Sequence, residues 1–93
     1  MADINGSIKK RALLASGVAQ TVTFQTPVQS LDLAIMGEAS VAFSTTAIPT
    51  SAADDTCNFL NADVPTLQYY SQAQFTSITF VANAGVTVQW IVR

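Results

Sequence analysis

The chain has 93 residues, which is one domain and no more. Charged residues make up only 11% of it, four Lys/Arg against six Asp/Glu with no histidine, while 49% is hydrophobic. A typical soluble domain carries about 25% charged residues, so the polar surface here has to come from Ser, Thr, Asn and Gln. Neutral hydroxyls and amides cost far less to desolvate than ions, and such a surface suits a subunit covered by neighbours. The net charge of −2 argues against nucleic-acid binding, which needs a basic patch. No stretch approaches the ~18 apolar residues of a membrane-spanning helix.

Residues 1–17 read as an N-terminal arm or edge segment, ahead of a β-domain over 18–93. Ser7 and Gly17 could bracket a two-turn helix. Ile8, Ala12 and Leu14 also sit at alternate positions, and an extended arm is the expectation. Lys9-Lys10-Arg11 followed by Ala12-Leu13-Leu14 superficially resembles a secretory leader, but Ser16 and Gly17 interrupt the apolar run and a β-pattern begins at once, so none is expected. The basic run has two readings: an edge blunted against aggregation, or a docking site for an acidic partner.

Two-residue alternation then dominates. Val22 and Phe24 share a face across Val18–Thr26, and Pro27 is expected to interrupt that strand. Leu31, Leu33 and Ile35 share the next face, Gly37-Glu38 is a turn, and Val41 and Phe43 alternate after it. Residues 47–56 form a polar loop of small residues. Short extended pieces follow at Cys57–Leu60 and Leu67–Tyr70. Ile78, Phe80 and Ala82 alternate before a hairpin at Asn83-Ala84-Gly85, where Gly85 is available for a positive φ. Val86, Val88, Trp90 and Val92 form the last apolar face. Seven to eight short strands at about ten-residue spacing predict an all-β fold, a single antiparallel β-sandwich of jelly-roll type. Phe24, Phe43, Phe59, Phe80 and Trp90 are assigned to its core, with Cys57 as a small buried hydrophobe.

Catalytic chemistry is hard to place. The absence of histidine removes Ser-His-Asp and Cys-His arrangements and the commonest metal ligand. The four glycines are scattered, so no loop cradles a phosphate. Asp54 and Asp55 are adjacent, but neighbours in an extended loop diverge, and their plain role is to solvate the loop. The chain is therefore expected to be no enzyme and to hold no cofactor and no metal. Tyr69 and Tyr70 must face opposite ways on a strand, one to the core and one to solvent. Tyr70 with the loop 47–56 is a candidate stacking site for a glycan.

One stretch carries a family likeness. Thr21–Thr26 alternates, Pro27 breaks, and Val28–Leu33 alternates again. Val41-Ala42-Phe43-Ser44, the loop with Ile48-Pro49-Thr50 and Asp54-Asp55, and a closing hydrophobic hairpin follow. This order resembles small tailed-bacteriophage virion proteins of β-sandwich or jelly-roll fold, such as head decoration (cement) and neck or tail accessory proteins. The resemblance implies a virion protein assembled in the host cytoplasm. Such a protein binds the major capsid protein or another virion protein, as a homo-oligomer with a trimer favoured, and touches neither nucleic acid nor membrane. Ile8, Lys9, Lys10, Arg11 and Tyr70 are the expected partner-binding residues, and a capsid decoration subunit is the expected function. A neck or tail accessory protein and a host-glycan-binding module are the alternatives.

Overall fold

The fold comes from a computed structural model that describes the backbone of residues 2–6, 9–14 and 16–92 and the side chains of residues 16–92. Among the described residues the chain is all-β. Its strands are β1 (Ala2–Gly6), β2 (Lys9–Leu14), β3 (Gln20–Met36), β4 (Val41–Ser44), β5 (Asn58–Leu60), β6 (Thr66–Ala82) and β7 (Val86–Val92). They join in one hydrogen-bonded sheet of order β2-β7-β3-β6-β4-β5, with β1 beside β3. The β1–β3 pairing is parallel and the other strand pairings are antiparallel.

Two expectations about strand breaks need correction. Pro27 does not end a strand, and the pieces 67–70 and 77–82 are not separate. β3 and β6 are each 17 residues long. They pair with each other twice, at Gln20–Thr23 with Ser77–Phe80 and at Ser30–Ala34 with Thr66–Tyr70. Between these ladders the register slips at the isolated pair Val28–Phe75 and then returns. Pro27 falls inside the slip. On the other side of β3, β1 stops at Phe24 and β7 starts at Leu31. The missing proline N–H therefore removes no ladder bond on either side. The burial phase records the same slip. Val22, Phe24 and Val28 are buried at even positions, then Leu31, Leu33 and Ile35 at odd ones.

The slip divides the sheet into two halves. β1, β4 and β5 join the first half of β3 and the second half of β6; β2 and β7 join the opposite halves. Aromatic contacts bring the halves together on one core. Phe43 of β4 meets Tyr69 from the other half edge-on at 5.8 Å and Phe80 at 6.0 Å. Phe75 meets both Tyr69 at 5.6 Å and Phe24 at 6.1 Å. Trp90, Leu31, Leu33, Leu60 and Ile78 are fully buried with them.

The segment read as an arm or edge is drawn into the sheet. Ala2–Gly6 pairs with Gln20–Phe24, and Lys9–Leu14 pairs with Val86–Ile91. The short-helix alternative for 7–16 is replaced by strand over 9–14. Phe59 leaves the core list, being 36% exposed, and Cys57 is half-buried. The positive φ angles fall at Gly17 (71°) and Gly37 (129°), not at Gly85.

Turns at one end of the sheet are tied together by Asn83. Its side-chain Oδ1 accepts the Ser40 N–H at 2.9 Å, its own N–H donates to the Ser40 carbonyl at 3.0 Å, and its carbonyl accepts the Ser16 hydroxyl at 2.9 Å.

Candidate functional site

The two halves of the sheet differ in what lies outside them. On the β4 side, Ala42 and Ser44 stand opposite Val81 and Thr79 in the outward phase, yet all four are buried. The loop 45–57 covers them, with Pro49 and Ala52 buried. Asp54 shapes that loop. Its carboxylate accepts the Thr50 N–H (2.9 Å), the Thr50 hydroxyl (3.1 Å), the Thr56 N–H (3.1 Å) and the Thr56 hydroxyl (2.6 Å). The Thr50 N–H and the Thr56 hydroxyl hold its acid well below the usual carboxylate range. Asp54 is thus a structural anchor for the loop, which is more than solvation. Ser44 Oγ fixes the start of the loop by accepting the N–H groups of Thr46 and Ala47.

Among the described residues no loop covers the opposite half in this way, and its outer face is the candidate site. Inward positions are filled by Leu31, Leu33 and Ile35 of β3 and by Val86, Val88 and Trp90 of β7. Their alternates point outward in cross-strand rows. Asp32 lies between Gln68 and Ile91, and Ala34 between Thr66 and Gln89. Ser30 faces Tyr70, and Met36 faces Thr87. Ala34 is the short member of its row, so a groove of about 380 Å³ opens over it, bordered by Asp32, Thr66, Gln68, Gln89 and Ile91. Asp32 is the one ionisable residue in that lining, and neither it nor Gln89 is without an interaction partner.

The expected site residues fall partly here. Tyr70 is 64% exposed on the outer side of β6. Its neighbour Tyr69 turns inward and bonds Thr45 through its hydroxyl at 3.0 Å. The side of β6 that meets Thr45, just ahead of the loop 47–56, is therefore that of Tyr69. Lys9, Lys10 and Arg11 lie on β2 opposite Ile91, Trp90 and Gln89. Lys9 and Arg11 thus extend the Asp32 and Ala34 rows by one strand. β2 and Tyr70 stand at opposite sides of this half, roughly 14 Å apart at three strand spacings. Ile8 lies outside the described residues.

Asp32, Ala34, Thr66, Gln68, Gln89 and Ile91 were not singled out in the sequence. The signal was the same alternation that located the core, taken in its other phase.

The face can offer hydrogen bonds around its groove, and among the described residues it assembles no nucleophile with a base. Among the described residues no group of three or more His, Cys, Asp or Glu gathers to hold a metal. Trp90 is fully buried, and its indole N–H has no partner among the described residues.

No family model matches the chain, and no curated protein matches its sequence. Among solved structures, the pre-peptidase C-terminal domain of collagenase from Bacillus anthracis is similar at a TM-score of 0.45 and 10% identity, over 98% of this chain and 90% of that one. A likeness of that degree carries neither the fold nor a function across.

Proposed function

We propose that the chain is a non-catalytic structural subunit, a jelly-roll-like β-sandwich that docks through the outer face of β7, β3 and β6 onto a repeating protein surface. The surface in question is that of a phage head, where the chain acts as a decoration subunit. The observation that carries this reading is the contrast between the faces. One is covered by the chain's own loop; the other carries an open groove lined by neutral side chains and the single carboxylate of Asp32. A standard interface takes about 800 Å² from each partner, roughly a sixth of the 5116 Å² this chain exposes. Neutral hydroxyls and amides make that area cheap to dehydrate, and repetition over a lattice multiplies a modest single contact.

Co-sedimentation with particles tests the reading. The chain should travel with virions through a density gradient, and Ala34→Arg, which fills the groove from an outward position, should release it while thermal stability is kept. A chain that stays at the top of the gradient in every preparation sinks the docking role.

A second reading has one observation in its favour. Tyr70 presents an exposed ring on the same outer face as Gln68 and Asp32, the elements of a sugar-stacking site. Glycan-array binding that disappears in Tyr70→Ala would select it.

A further inference from the structure

Charge is scarce in this chain and unevenly placed. Its four cations are Lys9, Lys10, Arg11 and Arg93, and no Lys or Arg occurs from residue 12 to residue 92. Three of the four stand on β2, the strand at one end of the sheet order. The strand at the other end is β5. Carboxylates flank it in the chain, Asp54 and Asp55 before it and Asp63 just after it. Glu38 and Asp63 border a groove at the turn end tied by Asn83, together with Ser40 and Asn61, just past the end of β5. Glu38, Asp55 and Asp63 are all exposed.

Both end strands have an open side. β2 pairs with β7 and β5 pairs with β4, and among the described residues neither has a strand on its other side. An open strand edge is a template for further pairing. Two β2 edges brought together would oppose three cations with three cations, and two β5 edges would oppose carboxylates with carboxylates. Like charges facing each other are disfavoured. Joining β2 to β5 brings opposite charges together and continues the sheet from one molecule into the next. Phe59, exposed on β5, adds apolar area at that seam.

We infer that copies of this chain associate head to tail, the basic β2 edge of one docking on the acidic β5 edge of the next. Such a contact is heterologous: it closes into a ring if the rotation between copies allows, and otherwise continues as an open chain. It rests on the reading of the protein as an assembly subunit, and it names the edge that joins the subunits to each other.

Sedimentation velocity on the purified chain tests this without any particle. The chain should be multimeric at about 0.01 M ionic strength and dissociate towards about 1 M, where the screening length drops from roughly 30 to 3 Å. The triple variant Lys9→Glu/Lys10→Glu/Arg11→Glu should be monomeric, and so should Glu38→Lys/Asp55→Lys/Asp63→Lys. Mixed in equal amounts, the two should associate again, since each supplies the end the other has lost. Circular dichroism confirms that each variant is folded, and the salt series on the unaltered chain needs no variant. A monomer at low ionic strength overturns the edge contact, as does a multimer indifferent to salt or a folded pair that fails to associate on mixing. A monomer that still travels with particles overturns the edge contact alone and leaves the docking role standing.

Discussion

Val28 and Phe75 face each other across β3 and β6 in a register that neither flanking ladder shares. From Thr23 to Val28, five steps along β3 oppose two along β6; from Val28 to Ser30, two steps along β3 oppose five along β6. The two excursions cancel, so the ladders on either side keep one common register. Both residues are buried, and Phe75 bridges Phe24 and Tyr69 edge-on.

That pair should be the most sensitive point of the bend. Phe75→Ala removes a buried ring and two aromatic contacts and should cost about 3–5 kcal/mol. Phe75→Leu keeps most of the volume and should cost less. Urea unfolding, read as the shift in midpoint at constant slope, checks both. A Phe75→Ala midpoint close to that of the unaltered chain would show that the bend does not depend on this ring.

Asn83→Ala removes the acceptor for the Ser40 N–H but leaves the two backbone bonds in place. The site is exposed, so the loss should stay near 0.5–1.5 kcal/mol. Asn83→Asp retains an acceptor oxygen and should cost less. Thermal unfolding of the two variants side by side distinguishes a lost bond from general disturbance of the turn.

Gly37 carries a φ of 129°, which residues with a Cβ rarely adopt, and an added Cβ would lie 3.4 Å from Val86 Cγ2. Gly37→Ala should therefore cost about 1–3 kcal/mol, mostly from the backbone. Gly17, at 71° with open space where a Cβ would stand, should accept Asn with little change. Equal stability losses at the two glycines would contradict this difference.

The Thr50 and Thr56 hydrogen bonds lower the pKa of Asp54 in the folded chain, so its contribution has a definite sign with pH. The stabilisation is fully present above the unfolded value of about 3.9 and is lost as pH falls below it towards the folded value. The Tm difference between the unaltered chain and Asp54→Asn should be flat from neutral pH down to about 5 and shrink on further acidification. At neutral pH the variant should also be cut faster by proteases within residues 45–57. A Tm difference that grows as pH drops would reverse the assignment.

Much of this fold could be read in advance from its period of two. Val22, Phe24, Leu31, Leu33, Ile35, Phe80 and Trp90 were placed in the core by alternation alone, and they are buried. The opposite fates of Tyr69 and Tyr70 followed from the pleat. The continuity of β3 through Pro27 could not be read, because a proline between two alternating runs looks the same whether it ends a strand or sits in a register slip. Phe59 misled for a related reason. It is opposite Ala42, in the outward phase of a short edge strand, and sequence does not say which phase of three residues turns in. The candidate face was legible only in principle. Ala34 opens a groove because Thr66, Gln68, Gln89 and Ile91 surround it, and those neighbours come from strands more than thirty residues away.

The excursion of β6 at residues 71–74 has a practical meaning. Gln72, Ala73 and Gln74 are exposed, and the stretch is held to β3 by a bond from Gln29 Nε2 to the Gln72 carbonyl at 3.0 Å. Residues added there lengthen a bulge that already belongs to neither ladder, whereas the same addition inside Thr66–Tyr70 would turn every following side chain over. This is where length variation among natural variants of the chain can accumulate. It is also where a peptide tag or epitope can be grafted, displayed to solvent without rewriting the core.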